Sequence, residues 1–204
     1  MLRAALRLVD KHGLDALSMR KLAQELGVEA MLLYNHVANK DEILRGITEL
    51  VAGEIDLAHD EPDWRRAMRR RVLSAHEALA RHPWAPALWM RRGGGRGGAR
   101  MRYSDTVLRG LREAGFSPEL TYHAFHVLQS HVLGFALQER NLQFDVRDLK
   151  KRAARFLERF PATEYPDLAE HVKQHLELHD AQRGTFEFGL DLILDSLERM
   201  RLSA

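Results

Sequence analysis

Ser18 to Lys40 reads SMRKLAQELGVEAMLLYNHVANK, and its spacing sets what to expect of the chain around it. Leu22, Ala23 and Leu26 fall on one face of a short helix, and Gly27-Val28 supplies a tight turn. Leu33 and Val37 return to the same core from a second helix. Between those anchors the second helix carries Glu29, Ala30, Met31, Leu32, Tyr34, Asn35 and His36, several of them too apolar for an idle solvent face. Two short helices joined by a Gly-containing turn suit a helix-turn-helix, whose second helix enters the DNA major groove. They suit an ordinary helical hairpin as well.

Upstream, Leu2, Ala5, Leu6 and Val9 sit at i, i+3, i+4 and i+7, which describes an amphipathic helix ending near His12-Gly13. Ser18 is an N-cap for the next helix. Asn39 caps another, with Glu42 three residues on as its reciprocal partner. Ile43, Leu44, Ile47, Leu50 and Val51 then extend an apolar stripe to about Ala58. A polar break, HDEPD at 59–63, precedes a helix expected from Trp64 to about Arg81, stopped by His82-Pro83. A short apolar piece follows over 84–90, then a Gly-rich segment at 93–98. Arg100 to Ala114 reads as helix, closed by Gly115. Ser117-Pro118 restarts a helix that runs to about Arg140 and is apolar around much of its circumference, as a buried helix would be. A basic amphipathic helix is expected over 146–160, another helix from Pro166 to about His179, and a last one striped by Phe186, Leu190, Ile193, Leu194 and Leu197. There is no strand-like alternation of useful length and no repeat. The fold class is all-α.

The 204 residues, 45% hydrophobic, suffice for one sizeable core plus a small appended domain. Charges interrupt every apolar stretch, so neither a membrane span nor a signal peptide is expected, and a cytoplasmic location is. With no cysteine, disulfides, thiolate metal sites and cysteine nucleophiles are excluded. A net charge of +2 permits nucleic-acid binding without demanding it.

Over Ala4 to Leu50 the chain resembles the N-terminal domain of the TetR family of bacterial repressors. AALRLVDKHG, LSMRKLAQELGV and LLYNHVANKDEIL carry the likeness, the last most specifically. The remainder is similar to the ligand-binding and dimerisation domain of the tetracycline-repressor branch, in its helix arrangement, HPW at 82–84 and GFSPEL at 115–120. The resemblance implies a three-helix DNA-binding domain at 1–47 and a larger helical effector-binding and dimerisation domain at 48–204. It implies phosphate contacts at Ser18, Tyr34, His36 and Lys40, which fix register without reading sequence. Met19 joins that DNA-facing set, and Arg20 is the candidate for a guanine edge. Glu29, Ala30, Met31, Leu32 and Asn35 are carried over as groove-facing. Tetracycline repressors hold Gln, Pro and Thr in the middle of that helix. Ala30, Met31 and Leu32 instead suit a thymine methyl and make no bidentate base contact, so the operator must differ.

The same resemblance places Asp56, Trp89 and Gln138 where tetracycline repressors arrange a magnesium-bound drug with two histidines and a glutamate. Without those imidazoles, a largely apolar effector is expected instead, held by Trp64, His76, Trp89, Tyr103, Phe125, Gln129 and Gln138. Plain core packing is the competing reading of these residues.

Other features are weighed by chemistry. Residues 1–47 carry seven Lys/Arg against six Asp/Glu, while the dense basic runs lie outside the motif, at 65–71 and 91–102. They are read as a solvated helix face and a loop, the alternative being contacts to flanking phosphates. The Gly-rich loop lacks the Gly-Lys-Ser/Thr of a P-loop and is read as a connector, or a lid that orders on ligand binding. His171, His175 and His179 share a helix face but lack further ligands for a metal. His123, His126 and His131 are read as core or interface histidines. No nucleophile–base or two-carboxylate spacing stands out, and no cofactor is expected.

The expectation is a homodimeric, ligand-released repressor on a palindromic operator, with no enzymatic activity. Dimerisation is expected through the helices at about 118–140 and 185–201. A helical ligand-binding bundle with a vestigial motif and a His-dependent metalloprotein are the rivals.

Overall fold

A computed structural model describes residues 1–89, 98–142, 155, 160–177 and 181–203, and every regular element among them is helical. Helix α1 (Leu2–His12) ends on Gly13, whose N–H donates to the Val9 carbonyl at 2.8 Å. A 3₁₀ turn, Leu14–Ala16, leads to Ser18, whose Oγ accepts the Lys21 N–H at 3.2 Å and caps α2 (Met19–Leu26). Gly27 stops α2 at φ +67°, a conformation that costs a residue bearing Cβ. The Gly27 and Val28 N–H groups then reach back to the Gln24 and Ala23 carbonyls, at 3.2 and 3.0 Å, and close the turn.

Helix α3 (Ala30–Leu33) is a single α-turn, shorter than its apolar spacing predicts. Beyond it the backbone tightens: Tyr34, Asn35 and His36 donate three residues back, to Met31, Leu32 and Leu33. Asn39 caps α4 (Lys40–Ala52) by accepting the Glu42 N–H at 3.0 Å. The return bond differs from the expected box, because Glu42 Oε2 takes the N–H of Ala38 at 2.7 Å rather than that of Asn39.

The apolar stripe runs to Ala58, as read, but the helix stops at Ala52. Ile55 and Ala58 stay buried in a non-helical connection where Asp56 Oδ1 accepts the Ala58 N–H at 2.8 Å and Ser74 Oγ accepts that of Asp56 at 2.8 Å. Ala58 itself sits at φ +47°. Burial outlasts the helix there, and periodicity alone does not separate the two.

Helix α5 (Trp64–Arg81), capped by Asp63, is the central element. It buries Ala67, Met68, Val72, Ala75 and Leu79 and packs against α4, α7 (Ala99–Glu113), α8 (Pro118–Leu142) and α10 (Ala181–Ser203). Two shorter helices, α6 (Ala85–Trp89) and α9 (Pro166–Glu177), complete the set. Helix α4 joins the two ends of the molecule, meeting α1 on one side and α5, α6 and α7 on the other. The core is continuous from Leu8 in α1 to Leu194 in α10.

Helix α8 is less buried than its largely apolar circumference predicts. Ala124, Leu128, Val132 and Ala136 are buried, whereas Tyr122, Val127 and Leu137 are exposed. Of the stripe read on α10, Phe186, Leu190, Leu194 and Leu197 are buried and Ile193 is half-buried, while Phe188, Leu192 and Met200 face outward. The basic helix expected at 146–160 and the Gly-rich stretch through Gly97 lie outside the described residues, apart from Arg155 and Phe160. No described helix is long and apolar enough to cross a membrane.

Candidate nucleic-acid interface

Leu22 and Ala23 on α2 and Leu33 and Val37 around α3 are buried, so the two short helices are clamped to the core by their inner faces. Most of the residues assigned to the outer face stand out from it. Met31 is 74% exposed, Leu32 50% and Tyr34 51%. Ser18, Arg20, Glu29, Asn35, His36 and Lys40 are exposed too, with Met19 and Ala30 half-buried at the edges. Three large apolar side chains in water, on a helix whose anchors are buried, form a surface that gains by being covered.

The cations divide into two populations. Among the described residues Arg20, Lys21 and Lys40 have no ion-pair partner. The arginines of 65–71 all do, or have a carbonyl. Arg65 pairs with Asp195, Arg66 with Glu61 at 3.1 Å, and Arg69 with Glu187 and Asp191 at 2.6 and 2.9 Å. Arg70 holds Asp56 at 2.5 Å and Asp60 at 3.0 Å, and Arg71 donates Nε–H to the Leu57 carbonyl at 2.6 Å. The run is therefore not a bare solvated face but the cationic half of an internal pairing with the 56–63 connection and α10. Arg100, from the second run, is likewise engaged, with Glu49 at 2.8 Å and the Trp89 carbonyl at 3.0 Å.

A polar joint fastens the motif to the rest. His82 lies between Asp10 of α1 (Nδ1 to Oδ1, 2.7 Å) and Glu54 just after α4 (Nε2 to Oε1, 3.2 Å). Trp84 Nε1–H also donates to Asp10 Oδ1 at 2.7 Å. The HPW sequence at 82–84 thus supplies two side chains to one carboxylate, a role its spacing did not disclose.

The candidate effector residues occupy several places. Trp89 meets Tyr103 edge-on at 6.4 Å, and burial pushes the Tyr103 phenol up to about 12. Trp64 packs edge-on against Phe116 at 5.0 Å. His76 stacks on Phe186 at 3.9 Å with its Nε2 2.9 Å from Glu139 Oε2. Phe125 is half-buried beside His126, Gln129 is half-buried, and Gln138 is exposed. His131 stacks on Phe186 from the other side at 4.6 Å and donates Nε2–H to the Phe186 carbonyl at 2.9 Å. His131 is half-buried against the core, whereas His123 and His126 are exposed. Asp56 accepts the Ala58 N–H and pairs with Arg70, which together lower its carboxyl below the ordinary value against the opposing effect of burial. His179 and the side chain of His175 lie outside the described residues.

Known proteins supply an independent measure. The family described as bacterial regulatory proteins, tetR family, matches residues 1–47, and the tetracyclin repressor-like C-terminal domain matches 58–201. The tetracycline repressor protein class A from transposon 1721 of Escherichia coli is 30% identical over 208 residues, covering 99% of this chain and 90% of its own. The Streptomyces coelicolor TetR family protein ActR, solved in complex with actinorhodin, superposes with a TM-score of 0.79 at 29% identity, covering 96% of this chain and 92% of that one. Ligand-free ActR gives the same TM-score at 28% identity, over 99% and 94%.

Proposed function

Because the chain belongs to the TetR family, ligand-responsive repressors that bind DNA, we propose that it acts as a homodimer on a palindromic operator and leaves it when a small, largely apolar effector binds. The observation that carries this reading is the outer face of α2 and α3: uncommitted Arg20 and Lys40 flank exposed Met31, Leu32 and Tyr34 on a rigidly anchored helix pair. Cations without internal partners are free to meet phosphates, and apolar tips suit thymine methyls.

Each residue then has a task. Ser18, Met19, Tyr34, His36 and Lys40 hold the backbone, Arg20 reads a guanine edge, and Glu29, Ala30, Met31, Leu32 and Asn35 face the groove. Two such surfaces, roughly 34–36 Å apart, would engage successive major grooves. Trp89, Tyr103 and Phe125 supply aromatic surface for the effector, with His76, Gln129 and Gln138 as polar points and Trp64 at the outer end of α5. ActR, solved with actinorhodin, supports an organic effector of this general kind. Helix α4 is the transmitting element, since it touches α1 as well as α5, α6 and α7. Transmission requires the effector to bind the two states unequally. The reading places the protein in the cytoplasm and asks no catalytic step or cofactor of it.

Selection from a random duplex pool tests the reading. A palindrome should be enriched. On it, Arg20→Ala should cost about 1–3 kcal/mol and relax one base position, while Lys40→Ala should weaken all sequences alike and reduce the salt slope by about one. Enrichment of nothing at low salt would instead favour a ligand-binding bundle with a vestigial motif.

A further inference from the structure

A pocket of about 340 Å³ opens where the N-terminal end of α5 meets the C-terminal ends of α7 and α10, away from the α2–α3 surface. Its polar centre is Arg71. This residue is only 7% exposed, and its Nε–H is committed to the Leu57 carbonyl at 2.6 Å. Among the described residues its two terminal nitrogens, Nη1 and Nη2, have no hydrogen-bond or ion-pair partner. A guanidinium holds five donors in a planar fork, and those on Nη1 and Nη2 are reached from the pocket, where they are available to an occupant. Gly110 on the facing helix makes room for the fork, since a Cβ there would stand 2.6 Å from Nη1.

The other charges around the pocket narrow what fits. Arg201 is held by both oxygens of Glu198 at 2.8 Å and by the Ala114 carbonyl at 3.1 Å. Glu61 is paired with Arg66, and Asp63 accepts the Arg66 N–H as the α5 cap. Glu113, on the rim, is exposed and outside ion-pair distance of Arg71; burial lowers the pKa of the Arg71 guanidinium, and the field of Glu113 opposes that in part. With Glu61 and Asp63 taken up by Arg66 and Arg201 by Glu198, the charges left facing each other are Arg71 and the more distant Glu113. That near-neutral balance favours a monoanion over a dianion. The Trp64 indole, Ala67 and Ala114 provide an apolar wall beside the fork.

We infer that this pocket binds a small monocarboxylate whose carboxylate takes the Nη1 and Nη2 donors of Arg71 and whose apolar body lies against Trp64. A planar carboxylate is the geometric match for a guanidinium fork, and the volume is of small-ligand size. Since Arg71 also holds Leu57 in the α4–α5 connection, the occupant bears on the segment that follows α4. The inference needs no DNA and stands apart from the operator reading.

Titration calorimetry of the full chain with benzoate, in low-chloride buffer, tests it. Saturable binding is expected for benzoate and none for neutral benzamide, with inorganic phosphate weaker than benzoate. Arg71→Gln should weaken benzoate by at least about tenfold, the loss expected of a charged hydrogen-bonded pair. Gly110→Ala, which leaves the charge but crowds Nη1, should do the same, and it carries the test if Arg71→Gln fails to fold. Glu113→Gln should tighten binding by removing a competing carboxylate. Benzoate binding unaltered by Arg71→Gln or Gly110→Ala, equal binding of benzamide, tighter binding of phosphate, or no saturation by benzoate would each overturn the assignment.

Discussion

His131 shows what a single residue does when the core closes on it. Burial holds its imidazole below the ordinary value, and neighbouring His76 pushes the same way, while the hydrogen bond to the Phe186 carbonyl opposes them. The groups around it are His76 and Glu139, one pairing with the other, and the rings of Phe135 and Phe186. The unfolded chain therefore binds a proton here that the folded chain resists. Stability from this site is fully present above the ordinary histidine value of about 6.5 and is lost as pH falls below it. His131→Gln keeps a side-chain donor and removes the titration. Its melting temperature should fall less than the wild type's between about pH 7.5 and about pH 5.5, a comparison that cancels the other histidines. Parallel curves would mean that His131 does not titrate differently on folding. The apolar spacing of α8 marks His131 as a core or interface residue. Its contact with Phe186 arises from the crossing of α8 with α10, 55 positions apart in sequence, which no local spacing encodes.

Helix α5 shows the same division one level up. Its existence and its stop at His82-Pro83 follow from local chemistry and are visible in the sequence, whereas its cap at Asp63 lies unmarked within the polar break. The meaning of its basic run is not visible there either. RRAMRRR reads as a solvent face because its counter-charges lie elsewhere: Asp60 and Glu61 in what looks like a mere polar break, and Glu187, Asp191 and Asp195 on α10. The motif itself was more legible, because caps, turn glycine and buried anchors all lie within 23 residues of one another, from Ser18 to Lys40. If the α5 arginines serve the fold, neutralising them leaves DNA binding alone. The double change Arg65→Gln and Arg66→Gln should leave the slope of log affinity against log salt unchanged, whereas two lost phosphate contacts would flatten it by about 1.8. The same variant should melt slightly lower, since exposed pairs of this kind contribute about 0–1 kcal/mol each.

At the scale of the whole molecule, one chain presents a single reading surface and an unfinished flank. The exposed apolar residues of α8 (Tyr122, Val127, Leu137) and α10 (Phe188, Leu192) belong to two helices that pack against each other. Phe188 is 65% exposed although the same helix buries Phe186 almost completely, so among the described residues this ring stands largely outside the core. A second copy with the same flank would cover it in a two-fold, self-complementary contact of four helices. Phe188→Glu and Leu192→Glu together place two like charges on each side of that contact while touching nothing in the single chain's core. Sedimentation should then show a monomer that keeps its helical signal, because the buried stripe of α10 is untouched. Binding to a palindrome should fall by about 10²–10⁴-fold, the gain that linking two sites confers, and half-site binding should persist. A variant that stays dimeric would move the interface elsewhere. A variant that becomes monomeric yet binds the full site as tightly would show that one chain reads it unaided.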